Sequence, residues 1–320
     1  MKKRVLVTYN MLREGYAELI EKYDVTFPPD GVETFTYEQV LEMIPHYHAL
    51  QSMFNFRVDK KLLDSAPLLE IVSNYAVGYD NIDVDYATQR GVQVTNTPDP
   101  VTEPTADQAM GLILAVMRRI SEIDRRMRQG NVTVGLLENL GHSLYGGTIG
   151  IVGMGRIGQA LARRAVAAGM KVIYYNRSAV APHIEEQLSA KLVSLDELLH
   201  LSDVVSVNAP LTEQTYHMIG AKEFKMMKPS AVLVNTARGP LVDERALVDA
   251  LSAGEIWGAG LDVFENGDDP LEELLTMDNV VLAPHLGTQT YQTRNEMAAF
   301  VSRNIINFFE GGSISCVNKL

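Results

Sequence analysis

Short aliphatic and β-branched runs alternate with helical patterns along most of the chain. Residues 5–9 read as a buried strand, 13–22 as a helix and 25–27 as a strand. Then come a helix at 37–44, a strand at 48–52, a helix at 59–65 and a strand at 69–73. A helix at 83–90, closed by Gly91, leads to a strand at 92–95. Such alternation predicts βαβ units and a parallel sheet. Three prolines within 98–104 then predict a stiff extended connector, followed by an apolar helix over 105–120. From Thr148 the alternation restarts. Strands are predicted at 148–153, 171–175, 204–207, 231–235, 259–263 and 280–282. Helices are predicted at 156–168, after the capping-box residues Ser194 to Glu197, at 243–253 and at 291–310. The reading is α/β: two doubly wound parallel sheets, with a Rossmann domain (101–287) inserted in a flavodoxin-like domain (1–100 and 288–320). The last helix returns to the first block.

A chain of 320 residues exceeds what one core normally serves, so two domains suit the length. Hydrophobic residues make up 46% and charged residues 21%, which excludes a disordered or fibrous chain. The net charge of −12 argues against a nucleic-acid partner, though not against a small anion met by local amides and an arginine. A single cysteine, Cys316, allows neither an internal disulfide nor a thiolate metal site, and suits a reducing, cytoplasmic setting. The longest apolar run, 109–117, is too short to cross a membrane. No metal is expected: His46 and His48 flank Tyr47 without an evident third ligand.

The clearest chemistry lies in Gly153-Met154-Gly155-Arg156-Ile157-Gly158. This G-x-G-x-x-G follows an apolar strand and opens a helix, the context in which the glycines admit a pyrophosphate against free helix amides. The next strand ends in Asn176-Arg177-Ser178, where an NAD site would place a carboxylate. Asn176 and Ser178 can donate hydrogen bonds and Arg177 can pair with a 2′-phosphate. The reading is therefore NADP(H) in preference to NAD(H).

The chain also resembles the D-isomer-specific 2-hydroxyacid dehydrogenases over nearly its whole length. The resemblance rests on Asn74 to Asp83, Asn96-Thr97-Pro98 with Thr105-Ala106-Asp107, and the glycine turn. It continues through Asn235 to Gly239, Gly260 to Glu265 and Ala283 to Gly287. Within the family it is most similar to the glyoxylate/hydroxypyruvate or 2-ketogluconate reductase branch. That implies reduction of a small 2-keto acid to a 2-hydroxy acid, in a cleft closing on segments near 97–104 and 286–292. Arg238 is implied as substrate anchor and polariser, and His285 as proton donor. The backbone amides of Val77 and Gly78 are implied as a second carboxylate cradle, with Met53 and Phe54 as lining or core. Arg156 and Ile157 fall on the pyrophosphate turn, and Ala209, Pro210 and Thr215 on the adenosine side. Thr236, Ala237 and Asp262 fall to the nicotinamide, and Gly287 joins the cofactor set through its matched motif. Thr105 is expected to open the long helix. A homodimer through 105–145 is implied too.

One position departs from the family. The glutamate that pairs with the histidine there, five residues after the aspartate matched by Asp262, is Gly267 here. Asp268 or Asp269 is the expected replacement, with Glu265 nearer to Asp262 but two residues early. The missing glutamate leaves a second reading open: a dinucleotide-sensing regulatory relative with little turnover. A third is an NAD-linked relative acting on formate or phosphite; the formate branch pairs its histidine with a glutamine, and 262–270 holds none.

Overall fold

The structure, a computed structural model, describes residues 2–267 and 269–320. The chain divides into two compact units, Met1–Val101 with Thr288–Leu320, and Thr102–Gly287.

The first unit holds β1 (Arg4–Val7), α1 (Ala17–Lys22), β2 (Asp24–Thr26), α2 (Tyr37–Met43), β3 (Ala49–Met53) and α3 (Lys60–Asp64). It continues with β4 (Ile71–Tyr75), α4 (Val84–Gln89) and β5 (Gln93–Thr95). All strand pairs are parallel, in the order β2-β1-β3-β4-β5, the flavodoxin-like order. Successive residues serve opposite faces. Leu50 and Val72 join a core with α2 to α4, while Ala49 and Ile71 join one built with the last helix. Because both faces are covered, the strands read as unbroken apolar runs rather than alternating ones.

The second unit opens with α5 (Thr102–Met117) and α6 (Ile120–Arg128). Then come β6 (Thr148–Val152), α7 (Arg156–Ala167), β7 (Lys171–Tyr175), α8 (Pro182–Leu188), β8 (Ala190–Leu192), α9 (Leu195–Leu201) and β9 (Val204–Val207). The rest is α10 (Ala221–Phe224), β10 (Val232–Asn235), α11 (Glu244–Ala253), β11 (Gly258–Leu261), α12 (Glu272–Thr276) and β12 (Val280–Leu282). The sheet runs β12-β11-β10-β9-β6-β7-β8, all parallel, which is the Rossmann order extended by one strand. The chain's last helix, α13 (Tyr291–Glu310), belongs to the first unit. Ser73 Oγ donates to the Val301 carbonyl, and the Tyr75 hydroxyl donates to that of Arg294.

Three expectations need correcting. The proline-rich connector gives way to helix at Thr102, so Thr105 sits inside α5 rather than opening it. Pro104 is tolerated because the first helical N–H groups have no intrahelical acceptor to lose. The same helix stops at Met117. Arg119 turns left-handed (φ 57°) and starts α6, which periodicity did not separate. The short elements α8, β8, α10 and α12 went unread because three to seven residues are too few for a period to accumulate. Among the described residues no helix is long and apolar enough to cross a membrane.

Candidate active site

The carboxyl ends of β12, β11, β10, β9, β6 and β7 form one edge of the second unit's sheet. Along it, in that order, follow His285, Asp262, Thr236 to Arg238, Ala209 with Pro210, the glycine turn, and Asn176 to Ser178. Segments far apart in sequence thus share the edge where open α/β sheets bind ligands.

The sheet's order reverses between β6 and β9, and there the backbone is drawn tight. Gly153 has φ +99°, and a Cβ on it would lie 2.7 Å from the Ala209 nitrogen. A Cβ on Gly158 would lie 2.3 Å from the Gly153 carbonyl oxygen. Above Gly155, which caps α7, a Cβ would meet nothing within 4 Å. The pattern is a compact turn with open space at a helix amino end, which suits a pyrophosphate. Asn176 Oδ1 accepts from the Met154 amide at 2.9 Å, tying the second strand's end to the turn, while Arg177 and Ser178 stay exposed. Arg156 is exposed and Ile157 half-buried. Thr215 Oγ1 donates to the Pro210 carbonyl at 2.8 Å and accepts from the Thr212 amide, fastening the loop after β9. Asn208 Oδ1 and Thr236 Oγ1 are buried with no hydrogen-bond partner among the described residues. Both follow strands of the same edge. Unsatisfied buried polar atoms beside an open amide cradle fit a polar ligand such as a nicotinamide dinucleotide.

At the other end, Arg238 follows β10 in extended conformation and precedes a one-turn 3-10 helix, Gly239–Leu241. Asn235 grips this bend from both sides. Its Nδ2 donates to the Arg238 carbonyl at 2.9 Å and its Oδ1 accepts from the Ala237 amide at 3.0 Å. The Arg238 guanidinium also donates to the Ala237 carbonyl at 2.8 Å. It stays cationic at any working pH, as anchoring a carboxylate requires.

His285 is half-buried and left-handed (φ 57°). A side chain with a Cβ pays roughly 1–2 kcal/mol for that conformation, so the surroundings must hold it. Asp262 does. Its carbonyl accepts from the His285 amide at 2.9 Å, Oδ1 accepts from Leu286 N at 2.7 Å, and Oδ2 accepts from Gly287 N at 2.9 Å. Three successive amides thus close around one residue, the first on its carbonyl and the next two on its carboxylate. Asp262 is 1% exposed. Burial pushes its carboxyl up to about 6, against the bonds from Leu286, Gly287 and Gln108 that pull it down. Both carboxylate oxygens of Asp262, a residue the resemblance assigns to the nicotinamide, accept from the histidine turn. Thr105 also reaches that turn, with Oγ1 3.5 Å from the Gly287 carbonyl. Sequence reasoning did not find Gln108; nothing marks it except its place one helical turn before Leu112.

Of the acid candidates, Asp268 lies outside the described residues. Asp269 is exposed and bridges Asn266, closing a tight loop around Gly267 (φ 79°). Glu265 is directed elsewhere: its Oε1 meets His217 Nε2 at 2.7 Å and its Oε2 accepts from the Glu244 amide, while Glu244 Oε2 accepts from Glu265 N.

In the first unit, Val77 and Gly78 follow β4. Their carbonyls are held by Asn96 Nδ2 at 2.8 Å and Asn74 Nδ2 at 2.7 Å, which fixes the peptide planes. Met53 ends β3 and is buried.

Residues 110–287 match the family model described as D-isomer specific 2-hydroxyacid dehydrogenase, NAD binding domain. The chain belongs to that family. It is 49% identical over 316 residues to a glyoxylate reductase of Thermococcus onnurineus, covering 97% of this chain and 94% of that one. Among solved structures it is similar to a glyoxylate reductase from Paecilomyes thermophila (TM-score 0.89, 36% identity, 99% and 98% covered). It is also similar to an NADPH-dependent glyoxylate/hydroxypyruvate reductase from Sinorhizobium meliloti in complex with NADP and malonate (TM-score 0.85, 33% identity, 99% and 97% covered). As a 2-hydroxyacid dehydrogenase the chain is an NAD(P)-dependent oxidoreductase.

Proposed function

We propose that this dehydrogenase reduces glyoxylate, or a similarly small 2-keto acid such as hydroxypyruvate, to the D-2-hydroxy acid, and prefers NADPH to NADH. The observation that carries the reading is the row Arg238, Asp262, His285 at the ends of three successive strands, β10 to β12, beside the phosphate-binding turn. When bound, the reduced nicotinamide supplies the hydride. Arg238 holds the substrate carboxylate and polarises the keto oxygen. His285 gives its proton to the alkoxide oxygen as it forms, and takes it back in the reverse direction. For the first unit, the resemblance alone supports the amides of Val77 and Gly78 as a carboxylate cradle. The name and bound NADP of the Sinorhizobium relative, and the exposed Arg177 at the end of β7, support NADPH.

The test is turnover of glyoxylate and hydroxypyruvate with each reduced coenzyme, followed by loss of its absorbance, with chiral analysis of the product. No turnover would favour the regulatory reading; a clear NADH preference would remove the coenzyme claim alone. A cytoplasmic homodimer completes the proposal. Val134, Leu136, Leu137 and Tyr145 are 82–99% exposed in one segment of the second unit, and apolar side chains exposed together suit a protein–protein contact. Light scattering is expected to find a dimer, and Leu136→Glu with Leu137→Glu to give monomer.

A further inference from the structure

We infer that Gln108 is a positioning residue for the proton donor, acting through Asp262 to hold the His285 turn; the inference rests on the proposed role of His285.

Four residues along a helix advance about 6.0 Å and two along a strand about 6.6 Å, so the two spacings can run in step. On α5 the residues Gln108, Leu112 and Val116 are four apart; on and beyond β11, Asp262, Gly260 and Gly258 are two apart. The pairs meet. A Cβ on Gly258 would lie 2.8 Å from Val116 Cγ1, and one on Gly260 would lie 2.9 Å from Leu112 Cβ. Two bare strand positions thus let α5 lie close on β11. The next step of the ladder brings Gln108 Nε2 to 3.2 Å from Asp262 Oδ1. An ionised carboxylate only accepts, so the amide must present its nitrogen.

Gln108 and the Leu286 amide share Oδ1, and the Gly287 amide takes Oδ2. The carboxylate therefore joins α5 to the turn that carries His285. Around Asp262, α5 presents Gln108 and Thr105, both uncharged, and β10 presents the Asn235 carbonyl, which accepts from the Asp262 amide. Arg238 beyond β10 keeps a fixed charge in the working range. His285 is the other titratable side chain on this turn. When Asp262 takes a proton, one oxygen stops accepting and the turn loses a bond.

Reduction needs His285 protonated, so its own titration sets the alkaline limb of the rate profile. The acid limb falls to Asp262. Removing Gln108 takes away a donor that favours the anion, so Asp262 protonates at higher pH.

The experiment compares wild type with Gln108→Met and Gln108→Leu. Either variant should lower kcat about tenfold at neutral pH, with the KM for coenzyme unchanged. The acid limb of kcat should move up by about one pH unit while the alkaline limb stays. Amide exchange at Leu286 and Gly287, measured without substrate, should speed up in both. A folded variant with wild-type kcat, acid limb and exchange overturns the inference, as does a loss of kcat with neither limb moved. If the wild type itself fails to turn over, the proposed function fails, and the exchange comparison still decides whether Gln108 holds the turn.

Discussion

The two ends of the binding edge are built from different atoms. At the β6–β7 end the groups facing a ligand are main-chain ones: a helix amino end, and glycines spaced so tightly that a methyl group on Gly158 would strike the Gly153 carbonyl oxygen. At the β10–β12 end they are side chains, and each is held by another residue. Asn235 grips the Arg238 bend, and Asp262 grips the His285 turn and is itself met by Gln108, 154 positions earlier. A main-chain cradle is fixed once its backbone is fixed. A side-chain constellation depends on its supports, so the end proposed to carry the chemistry is also the more fragile one.

The largest expected effect comes from breaking the β10–β12 end at the Arg238 guanidinium. Arg238→Ala removes the proposed carboxylate anchor and polariser together, and kcat/KM for the keto acid should fall at least 10²–10³-fold. Coenzyme affinity, measured by fluorescence of bound NADPH, should change little. A parallel loss of coenzyme affinity would show that the two ends are not separable in the way the geometry suggests.

That separation also explains what the sequence discloses. The phosphate turn is legible because its requirement falls on glycine, at fixed spacing, between a strand and a helix. The strands are legible because both sheet faces are buried, as Leu233 and its neighbours Val232 and Val234 show by serving opposite layers. Arg238 and His285 are legible through motif context, since nothing in an isolated arginine or histidine marks it. The supports are not legible. Gln108 looks like any polar residue on an amphipathic helix, and its partner is set by the register of α5 on β11. Glu265 looks available for catalysis until the fold shows it committed to His217 and Glu244. Thr105 was misplaced because a proline run suggests extension, whereas Pro104 sits harmlessly in a first turn.

A smaller effect sharpens the other end. Arg177 is exposed at the end of β7 with Ser178 beside it, and Asn176 is tied to the turn. Arg177→Asp replaces attraction for a 2′-phosphate by repulsion. The NADPH-to-NADH ratio of kcat/KM should fall by about tenfold or more, since a charge-assisted bond is worth about 1.5–3 kcal/mol. The kcat with saturating coenzyme should hold. An unchanged ratio would place selectivity away from this strand end.

The smallest expected effect concerns the acid that partners His285. The loop after β11 has lost the family's glutamate to Gly267, and Asp268 and Asp269 follow it. A carboxylate beside an imidazole favours the cation and raises its pKa. For reduction the cation is the active form, so the partner's contribution appears on the alkaline limb and not on the acid one. Asp268→Asn and Asp269→Asn are each compared with wild type. The true partner's variant should lose activity at lower pH than wild type by about one unit, with a modest change at the optimum because His285 remains. Its acid limb should stay at the wild-type position. Superimposable profiles for both variants would exclude either aspartate as the partner. A shift on the acid limb instead would mean that the loop and the Asp262 turn act as one unit.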